Sequence, residues 1–217
     1  MARSGAKRGV GSAVSSGSEE TRRALVAGAI EALCEEGFSG ASAREIARRA
    51  GCNQGLVFYH FGSVANLLLA ALDEVSRIRL TRYQSAVAAV GSLGNLVEIA
   101  ESIFKEDLDA GYISVLAEMI AGTSSTPGLG VEVAARIAPW RDFAAAAVRD
   151  TLADSPLAQL LAPEEVAHAV VALYLGLEML AHLDGDRSPA LALFDRAGQI
   201  AGLLSALGGV STTREKP

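Results

Sequence analysis

The chain has 217 residues, half of them hydrophobic but only 5% aromatic, with 22 glycines, 6 prolines and 2 cysteines. That length can bury a substantial core in one large domain or two small ones, and the composition excludes a disulfide scaffold, a collagenous repeat and a wholly disordered chain. The formal net charge of −6, taken alone, argues against a nucleic-acid partner.

The charge is unevenly divided. Residues 1–61 carry 8 Lys and Arg against 6 Asp and Glu, a net of +2, and the other 156 carry 11 against 19, a net of −8. The average therefore hides a mildly basic N-terminal module. Cys34 and Cys52 are expected as free thiols in a reducing cytoplasm. Residues 1–18 are rich in Gly and Ser and lack both acids and an apolar run. They read as a disordered basic tail or an arm that touches DNA, and not as an export signal.

Ser18 followed by Glu19 and Glu20 starts a helix, with acids in its positive first turn. Leu25, Val26, Ala29, Ile30 and Leu33 then recur at helical spacing and form one apolar face. Gly37 ends the helix, and Phe38 is expected to fold back onto the same small core. Ser42-Ala43-Arg44-Glu45 is a capping box opening a short helix whose inward positions are Ile46, Ala47 and Ala50. Gly51 stops that helix, and Asn53 caps a second one over Gln54–Phe61, with Phe58 and Phe61 inward. Gly62 breaks that helix, and Ser63 caps a fourth, long helix. Two short helices joined through Ala50-Gly51-Cys52-Asn53 match a helix-turn-helix, in which the second helix lies in the DNA major groove.

The run Gly40-Ala41-Ser42-x-Arg44-x-Ile46-Ala47-x-x-Ala50-Gly51-Cys52-x-x-Gly55-x-x-Phe58-x-His60-Phe61 resembles the DNA-binding domain of the TetR family of bacterial regulators. The resemblance covers roughly residues 19–79. It implies that Ser42, Ala43 and Arg44 meet phosphate at the start of the bracing helix. Gln54 and Gly55 would face base edges, while Tyr59 and His60 would reach phosphate from the far end. Asn53 is a cap first and a phosphate contact second. Where most of this family carries a serine-lysine pair after the His-Phe run, this sequence has Ser63-Val64. That removes one phosphate contact, which Arg22, Arg23, Arg48, Arg49 or the tail would have to replace.

Beyond the fourth helix, with Arg77, Arg79 and Arg82 mostly solvated, helices are expected at about 92–109, 112–123, 130–152, 163–184 and 189–207, with no strand pattern. The fold class is all-α. An N-terminal helix-turn-helix domain over 19–79 precedes a helical ligand-binding and dimerisation domain over 80–210, and a flexible tail takes 211–217. The helix over 163–184 is apolar nearly all round, but His168, Glu178 and His182 interrupt it, so it reads as buried on two sides and not as a membrane span. In resembling proteins the last two helices pair with their copies, which implies a homodimer on a palindromic double-stranded operator. His168, Val171, Leu175, Met179 and His182 form the candidate dimer face.

The resemblance places a small-molecule inducer pocket in the middle helices. Candidates are Tyr112, Leu116, Glu118, Met119, Trp140, Phe143, Tyr174 and Glu178, each of which core packing would also explain. Glu118 and Glu178 stand out within apolar helices, because an unpaired buried acid is costly. They are expected to pair with Arg136 or Arg141, to face solvent, or to meet a cationic or hydroxylated ligand. Spacings of ten and four residues among His168, Glu178 and His182 match no zinc pattern, so no metal or cofactor is expected. No catalytic motif for acyl, phosphoryl or zinc-assisted chemistry occurs, and the chain reads as a non-enzymatic, cytoplasmic, ligand-responsive repressor. The alternative is a helical ligand-binding or interaction protein whose DNA binding is weak or lost.

Overall fold

A computed structural model describes residues 10–88, 92–153 and 162–208, and among them it has helices and no strand. The helices are α1 (Val10–Gly40), α2 (Ala43–Arg49), α3 (Gly55–Phe61), α4 (Val64–Val87), α5 (Leu93–Ala110), α6 (Tyr112–Gly122), α7 (Leu129–Leu152), α8 (Pro163–Asp184) and α9 (Ser188–Gly208). The all-α class expected from composition is what the chain adopts.

Helix α1 starts at Val10 and not at Ser18. Residues 10–18 contain no proline, and extending a formed helix costs far less than nucleating one. The rest of the expected N-terminal tail, 1–9, and the C-terminal tail, 211–217, lie outside the described residues. Gly37, at φ 72° and ψ 179°, breaks α1 where the sequence placed its stop.

Only half of the expected capping box forms. Glu45 N–H donates to Ser42 Oγ at 3.3 Å, but the Glu45 carboxylate turns to Arg48 and Arg49. Ser42 N–H instead donates to Gly40 O at 2.7 Å. Helix α3 begins at Gly55, one residue later than expected, with Asn53 Oδ1 accepting Gly55 N–H at 2.8 Å. Ser63 caps α4 as expected, accepting Asn66 N–H at 3.1 Å.

The chain divides into two compact units. The first takes the chain through Glu74 together with Glu118–Gly130, and the second takes Val75–Ala117 and the chain from Val131 onward. The boundary therefore falls at Glu74/Val75 and not between 79 and 80, and 118–130 leaves the sensing domain where the sequence had put it. Two contacts within the first unit account for this. Glu118 Oε2 accepts the Phe38 backbone N–H at 2.8 Å, and the Phe38 ring lies against Gly122. Phe38 thus packs on α6.

Leu25, Ala29, Leu33, Ile46, Val57 and Leu67 are fully buried in the first unit. Gly28 permits the closest approach of α1 to α2: a Cβ there would sit 2.9 Å from Ile46 O and 3.2 Å from Ala50 N. Gly→Ala within a helix ordinarily gains about 0.5–1 kcal/mol. Here backbone atoms would have to move, and overpacking of this kind costs about 1–3 kcal/mol. Gly28→Ala is therefore expected to lower the thermal midpoint, whereas the same exchange at a solvent-facing helical glycine should not. A raised midpoint for Gly28→Ala would show that α2 is not held against α1.

In the second unit Phe104, Ala181 and Ala190 form a core with Tyr174, Leu177 and Phe194 packed around it. Helix α8 is long and apolar enough to cross a bilayer, yet its inward side carries Glu178 beside Ala167 and Ala181. Its outward apolar side consists of Val170, Leu173, Leu180 and Leu183, and α9 shows Leu193, Ile200 and Leu203 outward. This is not the face expected from sequence. His168 and His182 are exposed, while Val171, Leu175 and Met179 are half-buried on the flank of α8. A helix apolar all round leaves its rotation undetermined by pattern, and the ion pair at Glu178 sets it.

Candidate nucleic-acid interface and buried polar cluster

The turn after α2 is made by Gly51 at φ 64°, with Cys52 N–H donating to Ala47 O at 3.0 Å. It delivers α3 with Val57 and Phe61 buried. Val57 and Phe61 anchor one side, so Gln54, Gly55, Phe58 and Tyr59 point to solvent, Phe58 at 51% and Tyr59 at 79% exposure. Phe58 is thus not an inward residue as its apolar character suggested. At i+4 from Gln54 it shares the outer face of the helix. His60 is half-buried, its ring edge-on to Tyr59 at 4.9 Å and to Phe61 at 6.4 Å.

On α2, Ser42 and Arg44 are exposed and Ala43 is half-buried. The other arginines nearby are engaged. Arg48 and Arg49 pair with Glu45, and Arg49 also pairs with Glu35 and Glu36 at 2.7 and 3.1 Å. Hydrogen bonds from Arg48 and then Arg49 hold the Glu45 carboxyl well below the usual carboxylate range. Arg22 lies over the Phe61 ring at 4.8 Å. Of the cations expected to replace the missing lysine, Arg48 and Arg49 are committed to carboxylates.

The second candidate site lies in the second unit, built on Arg79. The sequence suggested a solvated Arg79, but it is 7% exposed. It falls on the inward stripe Val75–Arg79–Tyr83 of α4. Arg79 Nε and Nη2 donate to Asp107 Oδ2 on α5 at 2.9 and 2.5 Å, and Nη2 donates to Glu178 Oε1 on α8 at 2.9 Å. Asp107 Oδ2 also accepts the Tyr83 hydroxyl at 2.6 Å and the Tyr174 hydroxyl at 3.3 Å, and the two phenols hydrogen-bond each other. The guanidinium lies over Trp140 at 5.2 Å and Tyr112 at 5.9 Å. Trp140 Nε1–H donates to Ser76 Oγ at 2.7 Å.

Burial opposes the charge on Arg79, but Glu178 and then Asp107 more than offset it, so its pKa rises and it stays a cation. Burial also pushes the Tyr83 and Tyr174 hydroxyls upward, keeping both protonated. Glu178, fully buried, is pushed by the same desolvation up to about 7, against the pull of Arg79. Its Oε2 has no hydrogen-bond partner among the described residues.

Five of the eight expected pocket residues, Tyr112, Trp140, Phe143, Tyr174 and Glu178, gather around Arg79 and Tyr83. Glu118 does not join them. Its Oε2 accepts the Phe38 N–H in the first unit. Glu178 pairs with Arg79. Leu116 and Met119 are buried core positions of α6. Arg79, Tyr83 and Asp107 were missed, although each falls on the buried register of its helix. Close by, Gln84, Val87 and Ala88 of α4 and Phe143, Ala147 and Asp150 of α7 help line a cavity of about 360 Å³.

Residues 25–71 match the family model of bacterial regulatory proteins, tetR family. The N-terminal helix-turn-helix region is thus similar to those of the tetR family. An HTH-type transcriptional repressor of Mycobacterium tuberculosis is 40% identical over 96 residues, 44% of this chain and 50% of that protein. The HTH-type transcriptional repressor AcnR of Corynebacterium glutamicum is 29% identical over 100 residues, covering 46% and 48% of the two chains. The chain spans about half the length of the curated relatives it matches. A TetR-family structure from Rhodococcus sp. has a TM-score of 0.68 at 21% identity, covering 84% of this chain and 98% of that one. The regulator FadR of Bacillus subtilis, solved with stearoyl-CoA, has a TM-score of 0.70 at 12% identity over 82% and 96%. These two likenesses show the fold alone.

Proposed function

We propose that the protein is a ligand-responsive DNA-binding transcriptional repressor, acting in the cytoplasm as a homodimer and performing no catalysis. The outer face of α3 carries this reading. A short helix held by Val57 and Phe61 presents Gln54, Gly55, Phe58 and Tyr59 together, in a domain similar to those of the tetR family. Gln54 has the paired donor and acceptor that match adenine in the major groove, and Phe58 is an apolar surface for the thymine methyl. Ser42, Ala43 and Arg44 would brace on phosphate, with Asn53, Tyr59 and His60 flanking. The outward leucines of α8 and α9 supply an apolar surface for the second copy, which brings two recognition helices to adjacent major grooves. A small molecule in the second unit would lower operator affinity through a coupling of about 1–3 kcal/mol.

Selection from random duplex DNA followed by gel-shift titration tests the reading. Enrichment of a two-fold symmetric sequence is expected, and no enrichment above random duplex would defeat it. Arg44→Ala should weaken all sequences alike and reduce the salt slope by about 1. Gln54→Ala should cost about 1–3 kcal/mol at a single base pair of each half-site. Replacing one thymine with deoxyuridine should weaken the wild type but leave Phe58→Ala unaffected. The alternative of weak or lost DNA binding draws on Val64 in the usual lysine position and on the carboxylate pairing of Arg48 and Arg49. The same titration decides between them.

A further inference from the structure

Reading the second unit as a sensor leaves the chemical class of what it senses open, and the Arg79 cluster narrows it. Two carboxylates, Asp107 and Glu178, face one guanidinium in surroundings that exclude water. At Asp107 two Arg79 nitrogens and the Tyr83 and Tyr174 hydroxyls all converge on Oδ2. At Glu178 Oε1 takes Arg79, and the buried Oε2 takes nothing among the described residues. A buried carboxylate oxygen without a donor is a standing deficit that a positively charged donor would remove.

The aromatic neighbours of Arg79 favour the same kind of guest. Trp140 and Tyr112 already turn their faces to the Arg79 cation, an arrangement stabilised by the negative face of an aromatic ring. Tyr83, which bonds Asp107, is edge-on to Phe143 at 6.2 Å, and Phe143 borders the 360 Å³ cavity. That volume lies within the range of small-molecule sites. Val87, Phe143 and three alanines line it together with Gln84, Thr151 and Asp150, the last adding a further negative charge.

We propose that the Glu178 centre recognises an organic cation, a protonated amine on an apolar body, with the amine donating to Glu178 Oε2. This rests on the sensor reading above and specifies its ligand class. An anion would be rejected, because it would add a third negative charge beside Asp107 and Glu178. A bare metal ion would find one open carboxylate oxygen among phenols and indole, too few hard donors for calcium or magnesium.

The test is a charge series on one six-carbon chain, hexylammonium, 1-hexanol and hexanoate, titrated into the full-length protein and read by fluorescence of Trp140, the single tryptophan. At pH 8 hexylammonium is expected to bind about tenfold or more tightly than 1-hexanol, and hexanoate least tightly. Glu178→Gln should reduce that advantage to about twofold or less and leave 1-hexanol unchanged. A second readout needs no variant. The advantage in the wild type should shrink from pH 8 to pH 5.5 as Glu178 takes up a proton, the facing groups being Arg79 and Tyr83 of α4, Asp107 of α5, Tyr112 of α6, Trp140 of α7 and Tyr174 of α8. Equal affinity for hexylammonium and 1-hexanol overturns the proposal. So does an ammonium advantage that survives in Glu178→Gln, or no hexylammonium binding up to about 10 mM. The gel-shift titration separately decides whether the protein binds DNA at all, and its failure would leave the charge series standing.

Discussion

Replacing Arg79 by methionine is expected to cost about 3–5 kcal/mol of stability, roughly 6–20 °C in thermal midpoint for a chain of this length. Methionine fills much of the arginine volume, so the loss would come from electrostatics. Asp107 and Glu178 are 1% and 0% exposed, and without the guanidinium Asp107 would lose its cationic partner and Glu178 its only hydrogen-bond donor among the described residues, in a region of low dielectric. The phenols of Tyr83 and Tyr174 still donate to Asp107, so the heavier penalty falls on Glu178. Adding Glu178→Gln to Arg79→Met should therefore restore a large part of the loss, a coupling that a double-mutant cycle by urea denaturation would measure. If Arg79→Met costs under about 1 kcal/mol, the carboxylates are reached by water or protons and the cluster is not a closed one.

This cluster also marks where the sequence was legible and where it was not. Local signals carry the first unit. Ser42 and Ser63 accept the N–H groups three residues on, as their positions before apolar periodicity imply, and Gly37, Gly51 and Gly62 take positive φ where helices stop. Such signals depend on neighbours along the chain, which a sequence displays directly. The Arg79–Asp107–Glu178 grouping joins residues 28 and 99 positions apart, and nothing local announces it.

A weaker signal was nonetheless present. Arg79 stands at i+4 from buried Val75 and i−4 from buried Tyr83, and Asp107 follows buried Ile103 and Phe104 at i+4 and i+3. Glu178 lies at i−3 from buried Ala181. Charged residues on an inward stripe of three separate helices imply that they meet, because none of them can be buried alone. Phe58 shows the converse error. Apolar character placed it inside, but α3 has only seven residues, and Val57 and Phe61 already occupy its inner side. Glu118 shows a third kind of limit: its partner is a backbone N–H at a helix break, which charge pairing between side chains cannot foresee.

Stability should also fall as pH rises from about 4.5 to 7, by an amount traceable to Glu178 alone. Burial raises its carboxyl from an ordinary 4.5 to about 7. Below 4.5 the group is protonated in both folded and unfolded chains and pH has no leverage through it. Between 4.5 and 7 the unfolded chain releases the proton while the folded chain keeps it, so the unfolded state binds fewer protons and gains on the folded one. Above 7 both states are ionised and the effect levels off. At about 1.4 kcal/mol for each pH unit of separation, the loss is on the order of 3 kcal/mol. Other titrating groups contribute their own slopes, so the informative quantity is wild type minus Glu178→Gln in urea unfolding from pH 4.5 to 8. The amide mimics the protonated carboxyl throughout. The difference is expected near zero at pH 4.5 and about 3 kcal/mol against the wild type by pH 7.5. A flat difference would mean that Glu178 ionises as easily in the folded chain as in water. The same penalty gives a cationic ligand its leverage, because a positive charge at Oε2 offsets at neutral pH the cost that burial imposes on the ionised carboxylate.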